Sequence, residues 1–273
     1  MKKTVALILI SFVVLGCAPD YENHLVDSEQ YDYSEYIIED SIETDINFMP
    51  EEIYTTNQMQ EPLLKLKLIT SEVFPSISSE ILTTEFIRGS ELIIRLEEII
   101  EPIISFTAIG PAITYIELPE DITEISFING STIDQYTIEI NQQEISVRPI
   151  EENFTFSLYS KTFRIPENSF AYVCGTNTSN TYIYTDFLAI LEQNPDFIEF
   201  QFVGQGRIPY PTAPNGHRVN HSSRYYEYSD FNEFENLANV LNDYSFQNIP
   251  VNSGASVSMY SWNNVKFHSW IEN

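Results

Sequence analysis

The chain has 273 residues, enough for one large or two modest domains, and a hydrophobic content of 43% suits a chain that buries a core. Thirteen Lys and Arg face forty Asp and Glu, a formal charge of −27. Such a chain repels phosphate backbones, which argues against nucleic acid and anionic lipid head groups as partners. Aromatic residues make up 14%, and aromatic and β-branched residues favour strands, so the expectation is a β-rich protein.

The N-terminus opens Met1-Lys2-Lys3-Thr4, a short basic region, followed by Val5 to Leu15, apolar except for Ser11. Eleven residues of helix reach about 16 Å at about 1.5 Å per residue. A bilayer core is about 30 Å thick, so the run is read as an export signal over residues 1–16 and not as a membrane span. No later stretch is long and apolar enough to cross. The run ends Val14-Leu15-Gly16-Cys17, which resembles the lipobox of bacterial lipoproteins. In that family a small residue precedes an obligatory Cys that is acylated on sulfur before cleavage. Val14 stands where Leu is commonest, and Leu15 where a smaller residue is commonest. The resemblance covers about seventeen residues. It implies a lipidated Cys17, a palmitate-type anchor and a place in the bacterial cell envelope, with the outer membrane expected. The membrane is then a partner through the lipid alone.

Residues 18–60 hold twelve acids and no Lys or Arg, and they lack sustained apolar periodicity. Residues 17–61 are therefore read as the lipidated Cys and a disordered acidic tether. Ala18-Pro19-Asp20-Tyr21-Glu22 is similar to the surface-export signals of Bacteroidetes-type lipoproteins, which implies a position facing outward. Tyr31, Tyr33, Tyr36, Ile37 and Ile38 are more apolar than a bare linker requires, and suit packing on the adjoining domain.

Alternation of period two marks strands at Leu64-Leu66-Leu68, Leu92-Ile94-Leu96, Ile113 to Leu118, Ile122 to Ile128, Tyr136 to Ile140 and Glu144 to Val147. Turn residues separate them, Asn129-Gly130 giving the strongest hairpin signal. Six or seven short strands at roughly 10-residue spacing predict a β-sandwich over 62–150, similar to immunoglobulin-like modules but without their Cys-Trp-Cys core. Pro102 stops any helix among the surrounding isoleucines. Residues 151–273 change character and predict an α+β domain. Helices are expected over Asp186 to Gln193 and Phe231 to Asp243, the second capped by Asp230 with Glu233. Strands are expected at Phe154-Phe156-Leu158, Phe170 to Cys174, Phe197 to Val203, Val257 to Trp262 and Val265 to Trp270.

Few residues suggest chemistry. Cys174 sits in an apolar strand-like run and reads as a small buried hydrophobe. No phosphate-binding loop, Gly-x-Ser-x-Gly elbow or His-Glu-x-x-His motif occurs, so no catalytic residue, cofactor or metal is assigned. The most suggestive stretch runs from Gly206 to Tyr226. It gathers Arg207, Arg218 and Arg224 with His217 and His221, then Tyr225 and Tyr226, in a loop rich in Pro and Gly. An Arg–His cluster suits a carboxylate, phosphate or glycan, but the favoured reading is a structural loop whose arginines pair with the abundant acids around it. On a strand His217 and His221 would share a face but lie about 13 Å apart, too far for one metal. Tyr225, Tyr226, Tyr228, Trp262 and Trp270 are flat rings that could suit sugar or protein surfaces, but the favoured reading makes them core and edge residues of an aromatic-rich sheet. The expected role is non-enzymatic binding or scaffolding towards protein or glycan. The rivals are an envelope enzyme with its site in the 206–226 loop, and a self-assembling surface component.

Overall fold

The computed structural model describes residues 32–101, 108–214 and 216–271. The signal, the lipobox and Cys17 lie outside the described residues, as does Pro102. All regular structure among the described residues lies in Tyr36–Asn273, the larger of two compact units, the other being Met1–Glu35. No helix there is long and apolar enough to cross a membrane.

Among the described residues the fold is β-rich, with three sheets and two helices. The strands are β1 (Ile46–Ile53), β2 (Leu63–Phe74), β3 (Glu80–Arg88), β4 (Glu91–Ile100), β5 (Gly110–Glu117), β6 (Glu124–Asn129), β7 (Thr132–Ile140), β8 (Glu144–Glu151), β9 (Thr155–Ser157), β10 (Lys161–Phe163) and β11 (Ser169–Thr176). Helix α1 (Tyr182–Gln193), β12 (Phe197–Phe200), β13 (Val219–Asn220), β14 (Arg224–Tyr228), α2 (Phe231–Asn248), β15 (Ser256–Ser261) and β16 (Lys266–His268) complete the chain.

The first sheet runs β5-β2-β1-β9 and the second β10-β8-β7-β6-β4-β3. Their inner residues form one core, in which Phe48, Leu66 and Leu68 meet Leu92, Ile94, Phe127 and Tyr136. Phe48 sits 4.7 Å from the Tyr136 ring at 76°, an edge-to-face geometry that suits the ring quadrupoles. Two neighbour pairs are parallel, β4 with β6 and β1 with β9.

Strand β1 corrects the expected tether. Ile46 and Phe48 are fully buried, and the strand pairs with β2 from Ile46↔Thr70 to Ile53↔Leu63. Two of the segment's twelve acids, Glu51 and Glu52, are held as ion-pair partners. Glu52 meets Arg164 at 2.9 Å, and Glu51 meets both Lys67 and Arg207. Pro50 is tolerated because β9 covers only Ile46–Phe48, so the strand has one neighbour at that point. Upstream, Tyr36 packs on Phe86 at 4.9 Å. Downstream, Tyr54 donates to the Trp262 carbonyl at 2.6 Å, and Asn264 donates to the carbonyls of Thr56 and Gln58. The boundary expected at 150 also moves, since β9 returns to the first sheet and β10 edges the second.

The third sheet runs β12-β14-β11-β15-β16, with β13 beside β11, all antiparallel. Every residue of β11 is buried. On one face Phe170, Tyr172 and Cys174 pack under Ile183, Phe187 and Leu191 of α1 and Phe234, Leu237 and Leu241 of α2. On the other, Ala171 and Val173 meet Tyr210 and Ala213. Asp230 caps α2 by accepting from Asn232 N–H at 2.9 Å. The helices run further than the periodicity predicts, beginning at Tyr182 in α1 and ending at Asn248 in α2.

The β6–β7 hairpin turns at Gly130, whose φ of +61° is left-handed and favours glycine. Its neighbour Asn129 accepts from Ile42 N–H at 2.7 Å and donates to Ile42 O at 2.8 Å, so its side chain stands in for a strand. Four residues on in β7, Asp134 is fully buried. Its carboxylate accepts from Asn153 N–H, Phe154 N–H, Thr155 N–H, the Asn153 amide and the Thr155 hydroxyl, at 2.7–2.9 Å. Replacing it strips several buried donors at once. Asp134→Ala is expected to lose at least about 3 kcal/mol in urea denaturation. A loss below about 1 kcal/mol would mean that water replaces the carboxylate.

Candidate functional site

The structure disperses the residues that the sequence places together. Arg207 is fixed at the join of the sheets. Its N–H donates to Lys161 O at 2.9 Å, its carbonyl accepts from Phe163 N–H at 2.9 Å, and its guanidinium meets Glu51. Arg224 makes a two-pronged pair with Glu199 on neighbouring β12, both contacts at 2.7 Å. These two arginines are thus used by acids of the chain. Arg218 is exposed, and its backbone N–H donates to Thr176 O at 3.1 Å.

Gly175 and Thr176 are consecutive on β11, and each receives one histidine. The His217 ring fills the space over Gly175, where an added Cβ would lie 2.2 Å from Cδ2. Its Nδ1 lies 2.9 Å from the Gly254 carbonyl, which can only accept, so the proton sits there. Nε2 lies 2.7 Å from the Ser256 hydroxyl. His221 shares a 2.8 Å hydrogen bond with the Thr176 hydroxyl and stacks on Tyr184 of α1 at 4.4 Å. Successive strand side chains point to opposite faces. Thr176 shares the helix face with Tyr172 and Cys174, and Gly175 the other. The two histidines are therefore separated by the sheet and cannot hold one ligand. Among the described residues, no three or more His, Cys, Asp or Glu side chains are grouped to hold a metal.

The tyrosines are core residues. Tyr226 is 1% exposed and stacks on Phe170 at 5.3 Å, and burial with the Glu199 charge pushes its hydroxyl up to about 12. Tyr225 faces the opposite side, 5.0 Å from Phe202 and 5.8 Å from Tyr210. Tyr228 is buried and accepts from the Trp262 indole N–H at 2.8 Å, so Trp262 is structural too. Cys174 is buried, as its apolar setting predicts, and burial pushes its thiol up to about 12, so no thiolate forms near neutrality.

Trp270 differs. It is 54% exposed, and one face of its indole lies on His268 at 4.5 Å and 22°. It borders a groove of about 430 Å³ formed by the end of α2, the following loop and the last described residues. Phe246, 93% exposed, and Val251, 91% exposed, stand beside it. A sequence signal for this place exists: no charged residue occurs between Asp243 and Lys266. No known family model, curated protein or solved structure matches the chain.

Gly175→Ala drives a Cβ into the His217 ring and is expected to cost about 1–3 kcal/mol. In a His217→Ala background most of that cost should disappear in urea denaturation. An equal cost in both backgrounds would contradict the docking of His217 on Gly175. Burial lowers the pKa of His221, and burial with Lys266 lowers that of His268. Their stabilisation is present above about pH 6.5, the unfolded value, and is lost as pH falls through the folded values. Between pH 7.5 and 5.5 the parent should lose more stability than a His221→Gln, His268→Gln variant. Parallel pH curves would overturn this.

Proposed function

We propose that the protein is a lipid-anchored protein of the bacterial cell envelope, tethered through Cys17, with a non-enzymatic binding or scaffolding role towards a glycan or protein ligand. The observation that carries this reading is the register of Lys2-Lys3, the apolar run Val5–Leu15 and Gly16-Cys17. Each buried methylene contributes about 0.8 kcal/mol, and one chain alone holds only marginally, so two or three chains on Cys17 make a firm anchor. The acidic residues close behind Cys17 favour display on the outer surface. In this reading the first two sheets form an immunoglobulin-like sandwich that carries an α+β module built on the third. The competing enzyme reading needs the 206–226 residues to converge. The opposite faces taken by His217 and His221 remove that premise, and the use of Arg207 and Arg224 in ion pairs weakens it further.

The test is metabolic labelling with a palmitate analogue, followed by membrane fractionation. The parent should carry the label and sediment with membranes, and Cys17→Ala should lose both properties. Label retained in Cys17→Ala, or none in the parent, overturns the anchor. Protease added to intact cells should then remove the folded part. Protection until the outer membrane is opened would contradict display on the surface.

A further inference from the structure

The groove beneath Trp270 combines three features that rarely coincide by accident. The first is neutrality. Its lining residues include Ser245, Asn252, Ser253 and Ser269, and none carries a charge, although the chain carries forty acids. The second is a prepared aromatic platform. Trp270 rests on His268, whose Nδ1 is hydrogen-bonded to the Ser258 hydroxyl at 3.0 Å. Burial and the nearby Lys266 lower the His268 pKa, and Ser258 and Tyr260 are also set against the ring. The indole is therefore backed by a fixed neutral ring, and Trp270 as a whole is 54% exposed. The third is a polar rim. Asn252 is exposed at the groove, and Ser245, Ser253 and Ser269 line it beside the apolar residues.

We propose that this groove binds a neutral glycan. The exposed indole face of Trp270 covers the apolar side of a pyranose ring, and Phe246 widens the platform. Asn252, exposed at the rim, bonds the sugar hydroxyls. A volume of about 430 Å³ lies within the range of about 300–1,000 Å³ usual for small-ligand sites. The charge balance selects this occupant over two others. An acidic polysaccharide is repelled by a chain of charge −27. A second copy brings the same charge against itself. The inference deepens the binding role proposed above, naming its ligand class and its place.

The test is affinity electrophoresis of the full chain in gels carrying β-glucan, xylan, galactomannan or starch, with heparin and polygalacturonate as charged comparators. At least one neutral polymer should retard the parent, to a similar degree at low and high salt. Trp270→Ala should weaken that binding about tenfold or more, as the loss of an aromatic anchor does. Trp270→Phe should restore part of it, and Ile198→Ala, an exposed position on β12, should change nothing. Unaltered far-ultraviolet circular dichroism confirms that Trp270→Ala folds. Retardation by no neutral polymer, retardation by charged polymers alone, or binding indifferent to Trp270→Ala overturns the proposal. So does a concentration-dependent dimer that Phe246→Ala abolishes, which would assign the groove to a second copy. None of these outcomes touches palmitate labelling at Cys17, so failure of the groove and failure of the anchor are separable.

Discussion

The arrangement turns on the buried carboxylate of Asp134. It lies in the second sheet and holds the backbone of residues 153–155 by three N–H groups and two side-chain donors. On the same strand Tyr136 donates to Thr155 O at 2.5 Å. Together they fix where the chain leaves the second sheet and enters the first as β9, parallel to β1. A carboxylate in an apolar interior is tolerated only when its lone pairs are filled, and five donors fill these. From that point the chain has one route, along β10 to Arg164 and into β11. Arg164 and the Ile165 N–H then meet Glu52 at the end of β1, which ties the third sheet's lead-in to the first.

The same logic explains how a chain so acidic stays compact. Lys65, Lys67, Arg88, Arg95, Lys161, Arg164, Arg207 and Arg224 each pair with a glutamate. Cations are scarce, and they are placed where strands or sheets meet. Exposed pairs contribute little, but the Glu52 and Glu91 carboxylates are nearly buried, and removing their partners would leave charge without compensation. Arginines gathered in sequence around 207–224 are therefore better understood as fasteners than as an anion clamp.

The sequence announces the strands whose alternation is clean, among them β2, β4 and β6–β8, and the two helices. It hides β1, because Glu51 and Glu52 at its end and Pro50 within it resemble linker chemistry, and their basic partners lie far along the chain. It misplaces β14, because the apolar alternation of Tyr226 and Tyr228 is masked by Tyr225, which packs on the opposite face. The candidate site fails for a related reason. Proximity in sequence gathers His217 and His221, and strand alternation parts them. The Trp270 groove is built from the end of α2, the loop beyond it and residues 269–271. Its parts are separate in sequence, and only the charge-free run from Tyr244 to Val265 marks it.

In the proposed reading, ligand is met at the neutral aromatic groove and not along the Arg–His loop. Hydrogen–deuterium exchange of the full chain, with and without neutral polysaccharide extracted from the surface of the cells that make it, tests this most directly. Protection confined to residues 246–255 and 268–271 is the result expected. Protection across 207–226 with the groove unchanged would contradict the account.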